Sequence, residues 1–144
     1  MPSFLPDTSC MVAVVCSWHE HNMRATRAIE ERLKQKHKMI VAAPALIEAY
    51  SVLTRLPSPH RLAPADALNL LEANFVLNAK LIALGASGYR SLLRGAPDAG
   101  VSGGRIYDAV IASSARRANV QALLTFNELH FASFADDTLQ IIVP

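Results

Sequence analysis

This 144-residue sequence predicts an α/β fold built on parallel strands, and three observations carry that reading. Short apolar stretches ending at turn or acidic residues alternate with longer stretches of helical period, the pattern of strands joined by crossover helices. The length is that of one domain, enough to bury about 68–70% of the surface the unfolded chain exposes, so residues 1–144 are read as a single unit. Finally, 51% of the residues are hydrophobic and 18% charged, which excludes an intrinsically disordered chain.

Residues 3–6 read as a short first strand, weakened by Pro2 and Pro6. A short apolar helix over Ser9–Ser17 follows, then a longer one over Glu20–Lys36 with Met23, Ala28, Ile29 and Leu33 on its apolar stripe. Lys38–Ala42 is the second strand. Pro44 suits a helix start, because the N–H it lacks is one that no helix satisfies there, and the helix runs to about Leu56. Three prolines between Pro57 and Pro64 forbid its continuation, and Pro64 opens another helix through Asn74. Leu77–Leu84 is the third strand candidate, with Gly85-Ala-Ser-Gly88 as the strand-to-helix turn after it. Gly103-Gly104 precedes a helix whose buried face is Ile106, Val110, Ile111 and Ala115 and which ends near Asn119. Gln121–Thr125 and Leu139–Val143 complete the strands.

The longest unbroken apolar run, Cys10–Cys16, is too short to span a membrane, and Asp7 stands where a secretory signal would carry Lys or Arg. A cytoplasmic protein is expected. Cys10 and Cys16 are too few for a disulfide scaffold and read as small apolar residues on a buried helix. A formal net charge of +2 is too mild to prove a polyanionic partner, although Arg24, Arg27, Arg32, Lys34, Lys36 and Lys38 cluster. That cluster reads as the solvated face of a helix.

Three acids are out of keeping with their surroundings. Asp7 follows Phe4-Leu5-Pro6, at the carboxyl end of the first strand, Glu48 lies inside an apolar helix, and Asp108 lies inside Ile106-Tyr-Asp-Ala-Val-Ile. A lone buried charge costs several kcal/mol unless it is paired, bound to a metal or turned toward a cleft. Each has a local explanation: Asp7 as a helix N-cap, Glu48 paired with Arg55, Asp108 paired with Arg105. Three together point instead to a shared site. In an open parallel sheet, ligands bind beyond the carboxyl ends of strands where the order reverses, and Thr125 and Asn127 would meet Asp7 there if the first and fourth strands are neighbours. Clustered carboxylates repel one another unless a cation is present, and oxygen ligands favour Mg²⁺ or Mn²⁺. Such an ion activates water and offsets charge on a leaving oxygen, so phosphodiester hydrolysis is the natural use.

These residues resemble the PIN-domain nucleases, and among them the VapC-type toxins of toxin–antitoxin pairs. The resemblance rests on Asp7-Thr8-Ser9, on Pro44 to Leu56 around Glu48, on Gly104 to Ala112 around Asp108, and on Leu123 to Phe131 around Asn127. It implies a three-layer sandwich whose central parallel sheet has the order 3-2-1-4-5 and is flanked by helices. It also implies Mg²⁺- or Mn²⁺-dependent endoribonuclease activity on RNA, a homodimer, and inhibition by a small antitoxin. Carried over by position, Asp7, Glu48 and Asp108 fall on the metal-binding acids. Asn127 falls on a fourth site position where many members have Asp, and its amide brings no charge. Thr8 and Thr125 look like residues that hold the acids in place. Arg55, Arg90, Arg94, Arg105 and Arg116 are candidates for positioning the RNA backbone, with Arg55, Arg105 and Arg116 foremost. The alternative is a non-catalytic module of the same fold that binds RNA or acts as a scaffold. A receiver-like phospho-acceptor domain is disfavoured, because no second acid adjoins Asp7 and no Lys follows the last strand.

Other signals are set aside. Trp18-His19-Glu20-His21 lacks the spacing of a helical metal motif and reads as a surface helix start. His130 reads as a packing or hydrogen-bonding residue beside Asn127. Leu46, Leu53, Leu68 and Leu71 read as ordinary core rather than a groove for a partner helix. No phosphate loop and no dinucleotide fingerprint occurs.

Overall fold

The computed structural model describes residues 2–144. Five parallel strands form one sheet: β1 (Ser3–Pro6), β2 (Lys38–Ala42), β3 (Lys80–Ile82), β4 (Ala122–Leu124) and β5 (Gln140–Ile142), in the order β3-β2-β1-β4-β5. The chain adds β2 and β3 on one side of β1, then crosses to add β4 and β5 on the other. The order therefore reverses between β1 and β4, the place where open parallel sheets leave a crevice. Helices α1 (Thr8–Val15), α2 (Asn22–Lys34), α3 (Ala43–Thr54), α4 (Pro64–Phe75), α5 (Ala86–Gly95), α6 (Arg105–Arg117) and the single turn α7 (Glu128–Phe131) flank the sheet in a three-layer arrangement. A 3₁₀ turn over Ala132–Phe134 follows α7. Among the described residues no helix is long and apolar enough to cross a membrane.

Pro6 is tolerated in a central strand because it is the last residue of β1. The ladder to β2 is registered at Ser3–Lys38 and Phe4–Met39, so the N–H that Pro6 lacks falls beyond it, and on the other side Asp7 N–H donates to the Leu124 carbonyl over 3.0 Å. The core is continuous across the sheet. Phe4, Leu5, Met11, Val41, Leu53, Leu123, Leu124 and Phe131 are fully buried, and Leu46 packs against them. Leu71 joins this core, whereas Leu68 stays half exposed on α4. Cys10 and Cys16 are buried free thiols on and just after α1, as their apolar setting suggests.

Three elements differ from expectation. The third strand spans only Lys80–Ile82, because the Val76 and Leu77 N–H groups donate to the Glu72 carbonyl and finish α4, and Ala79 closes the turn onto Val76. The long second helix starts at Asn22 rather than Glu20. Hydrogen bonds from His19 N–H to the Cys16 carbonyl and from Asn22 N–H to the His19 carbonyl wind residues 17–21 into a tight turn instead. The turn at Gly85–Gly88 opens α5, an amphipathic helix with no buried residue, whose Gly88 and Gly95 are poor helix formers that weaken its signal in the sequence. At the other end of α6, Asn119 takes a left-handed conformation (φ 56°) and Val120 N–H donates back to the Ala115 carbonyl, ending the helix and turning the chain into β4.

Candidate active site

Asp7 is where the site begins, and its environment follows from the end of β1. As N-cap of α1 it accepts the Cys10 N–H on Oδ1 over 3.0 Å. Ser9 Oγ donates to the same oxygen over 2.6 Å, and Thr125 Oγ1, from the residue after β4, donates to Oδ2 over 2.6 Å. Ser9 Oγ also accepts the Phe126 N–H, and Thr125 Oγ1 accepts the Asn127 N–H, so two hydroxyls fasten the carboxyl ends of β1 and β4 to one carboxylate. Only 2% of Asp7 is exposed. Burial pushes its carboxyl above the usual range, and the bonds from Ser9, Thr125 and Cys10 pull against that.

A carboxylate has about four lone-pair positions. The three donors above occupy two on Oδ1 and one on Oδ2, so one position of Oδ2 stays available for a cation. The local reading of Asp7 as a cap and the functional one are therefore compatible.

A cavity of about 410 Å³ opens at this point, lined by Asp7, Glu48, Asp108 and Asn127 together with Thr8 and Ser9. Glu48 comes from α3, Asp108 from the first turn of α6, and Asn127 from the N-cap of α7. Among the described residues Glu48 forms no ion pair with Arg55, and Asp108 none with Arg105. Asp108 Oδ2 instead lies 3.3 Å from His130 Nδ1, on the exposed side of α7. Burial raises the Asp108 carboxyl, opposed by the nearby His130 and Arg105.

The oxygen donors where the acids meet, the Asp7, Glu48 and Asp108 carboxylates with the Asn127 amide beside them, suit a hard divalent ion. Among the described residues no three His, Cys, Asp or Glu side chains already stand in a metal-holding arrangement, so the acids share a cavity without forming a closed ligand shell. Ligation would require side chains to rotate inward.

The remaining expected residues are distributed as follows. The Thr8 hydroxyl does not hold an acid; it donates to the Ala45 carbonyl over 3.3 Å, one turn before Glu48, and so ties α1 to α3. The residue that holds Asp7 beside Thr125 is Ser9, and its signal in the sequence was a hydroxyl two places after a capping acid. Arg55 stands with Glu48, Ile47 and Tyr107 around a neighbouring cavity, and Arg105 opens α6. Arg116 is engaged elsewhere: it pairs with Asp136 at 2.8 Å and donates to the Phe134 carbonyl. Arg90 and Arg94 are exposed on α5. His130 does adjoin Asn127, donating its N–H to the Asn127 carbonyl, but its ring is aimed at Asp108, which sequence reasoning missed. It also missed that His19, Glu20, His21 and Phe126 line the same cavity.

Comparison with known proteins agrees with this fold. Residues 4–136 match the PIN domain. The chain is 38% identical over 118 residues, 82% of each sequence, to Ribonuclease VapC40 of Mycobacterium tuberculosis (strain ATCC 25618 / H37Rv). In structure it resembles the Sarcin-Ricin loop cleaving toxin VapC20 of M. tuberculosis, with a TM-score of 0.71 at 15% identity, covering 91% of this chain and 95% of that one. It also resembles DNA-bound VapBC from Salmonella typhimurium, with a TM-score of 0.65 at 19% identity over 99% and 98% of the two chains. Sheet order, the convergence of Asp7, Glu48 and Asp108 on one cavity, and these matches lead to one assignment: the chain belongs to the PIN-domain family, in its VapC-type branch.

Proposed function

We propose that this protein is a Mg²⁺- or Mn²⁺-dependent endoribonuclease and the toxin of a toxin–antitoxin pair, with residues 1–144 acting as one PIN domain. The observation that carries this reading is the meeting of three carboxylates, from the residue after β1, from α3 and from α6, around one cavity at the sheet's reversal point. The ribonuclease relatives support the reaction class, and the solved VapBC assemblies support a small antitoxin as partner. Exposed Ile47, Leu93 and Tyr107 offer apolar surface for that partner and for a second copy in a homodimer.

Asp7, Asp108 and Glu48 are the residues that would hold the ion, with Asn127 contributing an uncharged oxygen. When bound, the ion supplies Lewis-acid activation of water and of the scissile phosphate. The chain's own residues do the rest. Ser9 and Thr125 fix the Asp7 carboxylate in one rotamer with a lone pair free, and His130 orients Asp108. Thr8 secures the helix that presents Glu48. Arg55 and Arg105 stand near enough to the carboxylates to hold flanking phosphates, which keeps the polyanion in place despite the acids.

The test is RNA cleavage by the purified chain with Mg²⁺, with Mn²⁺ and with EDTA, alongside Asp7→Asn and Asp108→Asn. Metal-dependent cleavage lost in both variants, at unchanged circular dichroism, supports the assignment. Full activity of either variant refutes it.

A further inference from the structure

One wall of the cavity is aromatic, built from His19, His21 and Phe126. A row of five aromatic rings leads away from it in the order Phe126, His21, His19, Trp18, His60, with successive centroids 4.4, 5.5, 5.8 and 4.0 Å apart. The two end pairs are stacked, at 13° and 27°, and the inner pairs are tilted. The rings come from three separate segments: the loop before α4, the turn between α1 and α2, and the residue after Thr125. His19, His21 and Phe126 line the acidic cavity, so the row starts beside Asp7 and Asn127 and leads outward to Trp18 and His60 at the surface.

Trp18 is 49% exposed even with His60 stacked on one face, a large ring that the core does not use. Cations accompany the row. The Arg24 guanidinium lies 5.4 Å over the Phe126 ring and 2.6 Å from His21 Nδ1, and Arg61 follows His60 in the chain. Glu20, which contacts His21 at 3.3 Å, is the one acid within residues 17–27 and 55–63. Aromatic faces in series with guanidinium groups among them are what unpaired nucleotides bind, because every base has a π-face to stack and every linkage a phosphate to neutralise. A duplex, with its bases already stacked on one another, gains nothing from such a row.

We propose that this aromatic row is a binding track for unpaired RNA bases, which holds the single-stranded nucleotides flanking the phosphate to be cut. The proposal takes its substrate class from the ribonuclease reading above.

Trp18 is the only tryptophan in the chain, so its emission reports on the track alone. In EDTA, where no metal-dependent cleavage occurs, the full chain is titrated with oligocytidylate, with an RNA duplex of equal charge and with inorganic polyphosphate. Quenching by oligocytidylate well beyond that of the other two is expected. Trp18→Ala and His60→Ala should each weaken oligocytidylate binding, read by anisotropy of a labelled strand, by about tenfold, with Trp18→Phe close to wild type. Emission unmoved at saturation, equal quenching by polyphosphate, or wild-type affinity in both alanine variants would overturn the track. Cleavage in Mg²⁺ or Mn²⁺ separates the two readings. Asp7-dependent cleavage with an unchanged KM in Trp18→Ala overturns the track and leaves the nuclease standing. Stacking in EDTA without any Asp7-dependent cleavage does the reverse.

Discussion

Thr125 Oγ1 donates to Asp7 Oδ2 over 2.6 Å, joining two residues 118 positions apart through a fully buried hydroxyl. The bond exists because β1 and β4 are neighbours in parallel register, with Pro6 opposite Leu124, so the next residues on both strands emerge side by side. It turns a costly buried carboxylate into a fixed one, and the behaviour of the site depends on it.

Removing the Thr125 hydroxyl leaves Asp7 Oδ2 without its donor in a buried setting. Thr125→Val is expected to destabilise the protein by about 1–3 kcal/mol at neutral pH, and Thr125→Ser to restore most of that. Urea denaturation of the three proteins checks it; equal midpoints for Thr125→Val and wild type would remove the bond from the account.

Asp7→Asn should reduce RNA cleavage by at least about a hundredfold, in line with losing an ion-holding group. The same variant should lose the thermal stabilisation that Mn²⁺ gives the wild type, about 2.7 kcal/mol at a hundred times Kd. Calorimetry with and without Mn²⁺ measures the second effect independently of any RNA.

Without metal, the pH dependence runs in a definite direction. Burial raises the folded-state pKa of Asp7 above its unfolded value, so the folded chain binds the proton more tightly. The stabilisation from that proton is full below the unfolded pKa, near 3.8, and is lost as pH rises through the raised folded value. Asp7→Asn carries no such ionisation cost, so in EDTA at neutral pH it should melt above wild type, a gap that closes toward pH 4 and below. A gap that widened as pH fell would contradict the assigned direction.

Arg105 and Arg116 should separate. Arg116 pairs with Asp136 and donates to the Phe134 carbonyl, and the Asp136 carboxyl is drawn down to about 2, first by the Thr138 hydroxyl and backbone N–H. Arg105→Ala is expected to raise the KM for RNA and flatten its salt dependence, whereas Arg116→Ala should leave both near wild type. Cleavage assays across a salt series give the answer directly.

The alternation of strand and helix, the prolines in the first turns of α3 and α4, and the three acids in apolar company are all legible in the sequence. Each of these is local: Pro44 and Pro64 lack an N–H that a first turn does not need, and a carboxylate among Ile106, Val110 and Ile111 is out of place whatever surrounds it. Local signals also misplaced some boundaries, as at Leu77–Ala79, where the donors were taken by the end of α4. Only the folded arrangement brings Ser9 rather than Thr8 onto Asp7, turns His130 toward Asp108, and makes His19–His21 a wall of the acidic cavity. Those contacts depend on strand order and register, which bring distant segments together at one end of the sheet, and no periodicity within a single segment encodes which partner will arrive there.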